Sequence, residues 1–125
     1  MGDLARHIAQ LARRRYPDHV APDSLRDTFT QMTAHDIRIA ELLAQLLRTQ
    51  DVELADQLIN GDDAVDSLHA SVFATVLSAD WQGEAEQTVD VTLASRFLER
   101  FGDHAASIAK KVQYLATGDW VPEEA

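Results

Sequence analysis

Glu99 and Asp103 stand four residues apart in Arg96-Phe97-Leu98-Glu99-Arg100-Phe101-Gly102-Asp103-His104-Ala105, a run with helical periodicity, so a single turn of helix separates them. Asp62 and Asp66 have the same spacing upstream. Ionised carboxylates only accept hydrogen bonds and make hard oxygen ligands, so two such pairs on two helices point to cation binding before covalent chemistry. At about 100° per residue, Asp62, Asp66 and His69 share a sector about 60° wide with Leu58, Phe73 and Val76, which sets these acids in an apolar face. Buried carboxylates need a partner or a metal. The alternative is that Asp62 and Asp63 cap a helix restarting after Asn60-Gly61. For Glu99 and Asp103 the two readings are a solvated ion-pair face or a metal site close to the surface, because the apolar stripe of their helix runs through Leu98, Phe101, Ala105, Ile108, Val112 and Leu115 on the other side.

Other chemistry finds little support. His69 follows Asp66 by three residues, but a ferritin-like di-iron bundle needs two Glu-x-x-His motifs and two further glutamates, which the chain lacks. His7, His35 and His104 have no ligand-spaced partners. Nucleophile-elbow, zincin, P-loop and dinucleotide motifs are absent. With no cysteine, disulfides, thiolate zinc sites and cysteine nucleophiles are excluded. A net charge of -10, from 11 Lys and Arg against 21 Asp and Glu, disfavours nucleic acid and anionic lipid. Arg13-Arg14-Arg15 is a small basic island that could meet a phosphate or an acidic partner, although cations at a helix C-terminus are ordinary. Apolar runs are too short for membrane insertion or a secretory signal, so a cytoplasmic location is expected.

The elements that must position the acids are all helical. Five Gly and three Pro in 125 residues, with few aromatics, leave little strand signal. A first helix over about 3–15 ends before Tyr16-Pro17. A second runs from Pro22-Asp23-Ser24, where Ser24 and Asp27 have capping-box spacing, to about Thr49. Its seam is Leu25, Phe29, Met32, Asp36, Ile39, Leu43 and Leu46, and Asp36 alone breaks the apolar rule. A third helix, capped by Asp51, is expected to continue to about Ala79 through Leu54, Leu58, Val65, Leu68, Val72 and Val76, because the seam stays in register across Gly61. A fourth covers about 84–117 and stops at Gly118. Trp81 and Trp120 are read as packing against helix ends. The expected architecture is all-α: an antiparallel three-helix bundle over 23–118, preceded by an extra N-terminal helix in 1–17 and followed by a tail over 119–125.

There is also an internal repeat. Met1-Gly2-Asp3-Leu4-Ala5-Arg6-His7-Ile8-Ala9 aligns with Phe101-Gly102-Asp103-His104-Ala105-Ala106-Ser107-Ile108-Ala109, with identities at Gly, Asp, Ala, Ile and Ala. The partner of Glu99 would precede Met1, as in a piece of a two-repeat protein. The N-terminal helix carries Leu4, Ile8, Leu11 and Ala12 on one stripe and must bury them on the bundle or on a second copy.

Taken together, Asp62-Asp63-Ala64-Val65-Asp66-Ser67-Leu68-His69, the run from Arg96 to His104, Ile108-Ala109 and Tyr114-Leu115-Ala116-Thr117-Gly118 strongly resemble the PhoU family, as does Asp51-Val52-Glu53-Leu54-Ala55. Members of that family are built of tandem three-helix repeats with an E/DxxxD motif on two helices of each. The resemblance places Asp62 and Asp66 in the first motif, Glu99 and Asp103 in the second, and Asp3 at the last position of a preceding repeat's motif. It implies a cytoplasmic negative regulator of phosphate uptake that connects the phosphate ABC transporter to a sensor histidine kinase, without catalysis. A surface iron or zinc cluster on the four acids and a homodimer are further implications. The competing readings are a carboxylate-bridged metalloenzyme and a purely structural helical scaffold.

Overall fold

In the computed structural model, which describes residues 1–61 and 63–118, five helices follow one another: α1 (Gly2–Arg15), α2 (Asp23–Thr49), α3 (Val52–Asn60), α4 (Asp63–Val76) and α5 (Ala85–Thr117). No strand occurs among the described residues. The expected tail over 119–125, with Trp120, lies outside them.

Two apolar clusters fix the direction of each helix. One joins Leu43 and Leu46 of α2 to Leu54, Ala55 and Leu58 of α3 and to Ala105, Ala109 and Val112 of α5. The other joins Leu25 and Met32 of α2 to Val65 and Val72 of α4 and to Val91 and Leu98 of α5. Low-numbered residues of α2 thus meet low-numbered residues of α5, and α3 with α4 runs the opposite way between them. The expected three-helix bundle is present, with the seams read from spacing turned inward. Leu115 is an exception: it is 77% exposed, near the end of α5 beyond the bundle's last buried layer at Val112.

The third helix does not run unbroken as the seam predicted. It stops at Asn60 and resumes at Asp63, although both pieces pack on α2 and α5. Register survives the break because Leu58 and Val65 are both buried. Gly61 sits at φ -85° and ψ 3°, and a Cβ there would come within 2.7 Å of the Gln57 carbonyl oxygen, so the turn favours a residue without a side chain. Asp63 and Asp66 in the first turn of α4 suit the positive end of the new helix. This helix also ends at Val76 rather than Ala79.

The other ends follow local chemistry. Asp51 accepts a hydrogen bond from the Glu53 amide at 3.0 Å and caps α3. Ser24 does not cap α2: the helix starts one residue earlier, with Pro22 at the cap position and its carbonyl accepting from the Leu25 amide. Gly118, at φ 78°, closes α5 with its amide on the Tyr114 carbonyl, a left-handed conformation that glycine adopts without strain. Trp81 packs on the second cluster and donates its indole N–H to Thr88 Oγ1 at 2.8 Å.

α1 buries Leu4 and Leu11 against the bundle, chiefly on α5 and antiparallel to it. His7 stacks on Phe97, with ring centroids 5.3 Å apart. At its C-terminal end Arg15 grips α5: Nη1 meets Glu86 Oε1 at 2.5 Å, Nη2 donates to Asp90 Oδ1 at 3.2 Å, and Nε donates to Asp90 Oδ2. This forked pairing with a buried carboxylate does more than complement a helix dipole. Replacing Arg15 with glutamine leaves Asp90 buried without its cation, so amides of α1 are expected to exchange hydrogen at least about tenfold faster, while those of α2 are unchanged. Unchanged exchange in α1 would show that its apolar stripe alone holds it.

Candidate metal centre

α4 and α5 bring three of the four singled-out acids together. Asp66, Glu99 and Asp103 each offer a carboxylate oxygen, and the three atoms lie within 4.8 Å of one another. Asp62 lies outside the described residues. The first-turn position of Asp66 on α4 faces the carboxylate ridge of α5 because Val65 and Leu98 are both in the second core cluster, one residue away from Asp66 and Glu99 respectively. The surface placement read for Glu99 and Asp103 holds for Asp103, which is exposed, whereas the Glu99 side chain is only 16% exposed. Asp66 is exposed and stands at the rim, not within the apolar face as its helical sector implied. The α4 core is carried by Val65 and Val72 instead.

The electrostatics are those of a site short of positive charge. Glu99 Oε2 is buried and has no hydrogen-bond partner, and its nearest cation, Arg96 Nη1, is 3.9 Å away. Burial first, then a hydrogen bond to Asp103 and the Asp103 charge, raise the Glu99 carboxyl to about 7, against the pull of Arg96. Burial also raises Asp66, helped by the charges of Asp103 and Asp63 and opposed by His69. A proton on Glu99 is the metal-free answer to this crowding, and a cation would satisfy the same oxygens directly.

His69 borders the acids without joining their oxygen cluster. Its Nδ1 lies 2.5 Å from Oγ of the fully buried Ser95, and Phe73 meets its ring edge-on at 4.7 Å. Burial and then the Arg96 charge lower its pKa, against Asp66 and Asp103. Ser95 was not singled out by sequence, and its neutral hydroxyl gave no periodic signal.

The oxygen donors fit a hard or borderline cation. The spacing of at most 4.8 Å is close to the roughly 4 Å that bonds of about 2.0–2.2 Å allow between oxygens on one ion. The orphaned Glu99 Oε2 is the donor such an ion would satisfy. On α5, Arg96, Arg100 and His104 form a parallel ridge at successive four-residue steps. Sequence reading passed over this ridge, although its spacing was visible.

The pattern that defines the PhoU domain matches residues 29–112, most of the chain and all three clustered acids. The chain belongs to the PhoU family. It is 39% identical over 118 residues to phosphate-specific transport system accessory protein PhoU homolog 2 of Mycobacterium tuberculosis, covering 94% of this chain and 55% of that protein. PhoU homolog 1 of Mycobacterium leprae is 38% identical over 124 residues, 99% of this chain and 55% of its own length. The PhoU homolog of Synechocystis is 30% identical over 121 residues, covering 94% and 52% respectively. The chain therefore spans about half the length of these PhoU relatives. No solved structure matches it.

Proposed function

We propose that this chain is a regulatory module of phosphate uptake that acts by binding, joining the phosphate ABC transporter and a sensor histidine kinase on the cytoplasmic side as a negative regulator. A metal ion held by Asp66, Glu99 and Asp103, with Asp62 added by the motif, orders the surface it presents. The observation that carries the reading is the convergence of three acids from two helices within 4.8 Å, in a chain that belongs to the PhoU family. Its relatives are named for phosphate-specific transport, which gives the system in which binding takes place. No helix among the described residues is long and apolar enough to cross a membrane, so contact with a transporter would be made from its surface. Residues 23–118 would form one repeat, and α1 would be the closing helix of a preceding one. Pairing of two copies is part of the same proposal.

When bound, iron or zinc would cross-link α4 and α5 and neutralise the acids. Asp66 and Asp103 supply exposed oxygens, and Glu99 supplies the oxygen that burial leaves without a partner. Ser95 and Phe73 hold the His69 ring beside them. The test is a pull-down with the purified chain against the transporter's ATP-binding subunit and the cytoplasmic part of the kinase. Metal-loaded protein is expected to capture both, with capture by the Asp66→Asn/Asp103→Asn protein reduced about tenfold; failure to capture either would overturn the adaptor reading.

A further inference from the structure

Beside the carboxylates, α5 carries a groove of about 310 Å³ lined by Arg96, Glu99, Arg100, Asp103, His104 and Ser107. Glu99 and Asp103 form one wall and also belong to the acid cluster. The opposite ridge is cationic or hydrogen-bonding throughout. Arg100 and His104 make no hydrogen bond or ion pair among the described residues, and Arg96 reaches only the 3.9 Å contact with Glu99. In a chain of net charge -10, two arginines on one ridge with so little of their donor capacity used invite an anion.

Charge decides when an anion can enter. Without metal, the carboxylates of Asp66, Glu99 and Asp103 repel it. A divalent or trivalent ion cancels most of that charge, so Arg96 and Arg100 then leave the groove net positive. A phosphate-class oxyanion would itself offer such an ion hard oxygen donors.

We propose that this groove binds a tetrahedral oxyanion of the phosphate class as a co-ligand of the metal held by Asp66, Glu99 and Asp103, with Arg96 and Arg100 as its guanidinium donors and Ser107 as a hydroxyl donor. The inference rests on the metal reading above and adds a metal-dependent phosphate site to it. Phosphate and metal would then bind cooperatively, each raising the affinity for the other.

The test is calorimetric, with manganese titrated first and inorganic phosphate second, into the native chain and into Arg96→Gln/Arg100→Gln. Native protein is expected to take up phosphate only after manganese, and the variant is expected to bind manganese but to lose at least about tenfold in phosphate affinity. Phenyl phosphate in place of the inorganic ion separates two sources: equal binding assigns the site to a phosphoryl group on a partner, and rejection assigns it to free phosphate. No phosphate uptake by the manganese-loaded native chain, or equal uptake by the variant, overturns the proposal. Absence of manganese binding to the native chain overturns the metal reading first and this inference with it, and the order of titration distinguishes the two failures.

Discussion

Replacing Asp36 with asparagine is expected to stabilise the chain by about 1–3 kcal/mol at pH 8 and to flatten its stability between pH 5 and 8. Asp36 interrupts the α2 seam on the stretch between the two core clusters, is 6% exposed, and has no hydrogen-bond partner for either carboxylate oxygen. Burial raises it from 3.8 to about 7. A carboxyl whose folded value lies above its unfolded one binds its proton more tightly when folded, so its contribution is fully present below pH 3.8 and is lost as pH rises through about 7. At about 1.4 kcal/mol per unit, the loss over the whole range is on the order of 4 kcal/mol, partly offset in the variant by the cost of a buried amide. Urea melts of both proteins at pH 5 and pH 8 read the effect directly. A native protein more stable at pH 8 than the variant, or parallel pH profiles, would mean that Asp36 reaches water or a partner.

Asp36 was legible in the sequence as the one polar residue in an apolar seam, since helical spacing alone assigns a position to a face. The same spacing identified the core residues of α2, Leu54 to Val72 and most of the α5 stripe. It misjudged Gly61, because a seam that keeps register across a turn looks identical to an unbroken helix and outweighed the turn signal of Asn60-Gly61, whereas the backbone approach to Gln57 decides for the turn. Arg15 and Asp90 are 75 positions apart, and no local pattern pairs residues that meet only after α1 docks on α5. For the acids, i to i+4 spacing found the pairs, whereas the grouping of Asp66 with Glu99 and Asp103 depends on how α4 and α5 face each other.

Metal binding is expected to release a proton and to weaken as pH falls below about 7. Glu99 is raised to about 7 chiefly by burial, then by the hydrogen bond and charge of Asp103. Below that pH a cation must displace the proton, so apparent affinity falls by up to about tenfold per pH unit. The metal-free chain carries the opposite dependence: with the Glu99 folded value above its unfolded one, acid relieves the crowding, and stability is lost as pH rises through about 7. Metal therefore stabilises most where the metal-free protein is weakest, at pH 8. A hundredfold excess over Kd contributes about 2.7 kcal/mol, which for a chain of this size raises Tm on the order of 8 °C. The direct measurement is a thermal melt at pH 8 after chelation, with and without manganese, zinc or iron, on the native chain and on Asp66→Asn/Asp103→Asn. The native Tm should rise by that amount with at least one metal and the variant's should not move; equal shifts in the two proteins would show that the metal binds elsewhere and that Asp66 and Asp103 are ordinary solvated charges.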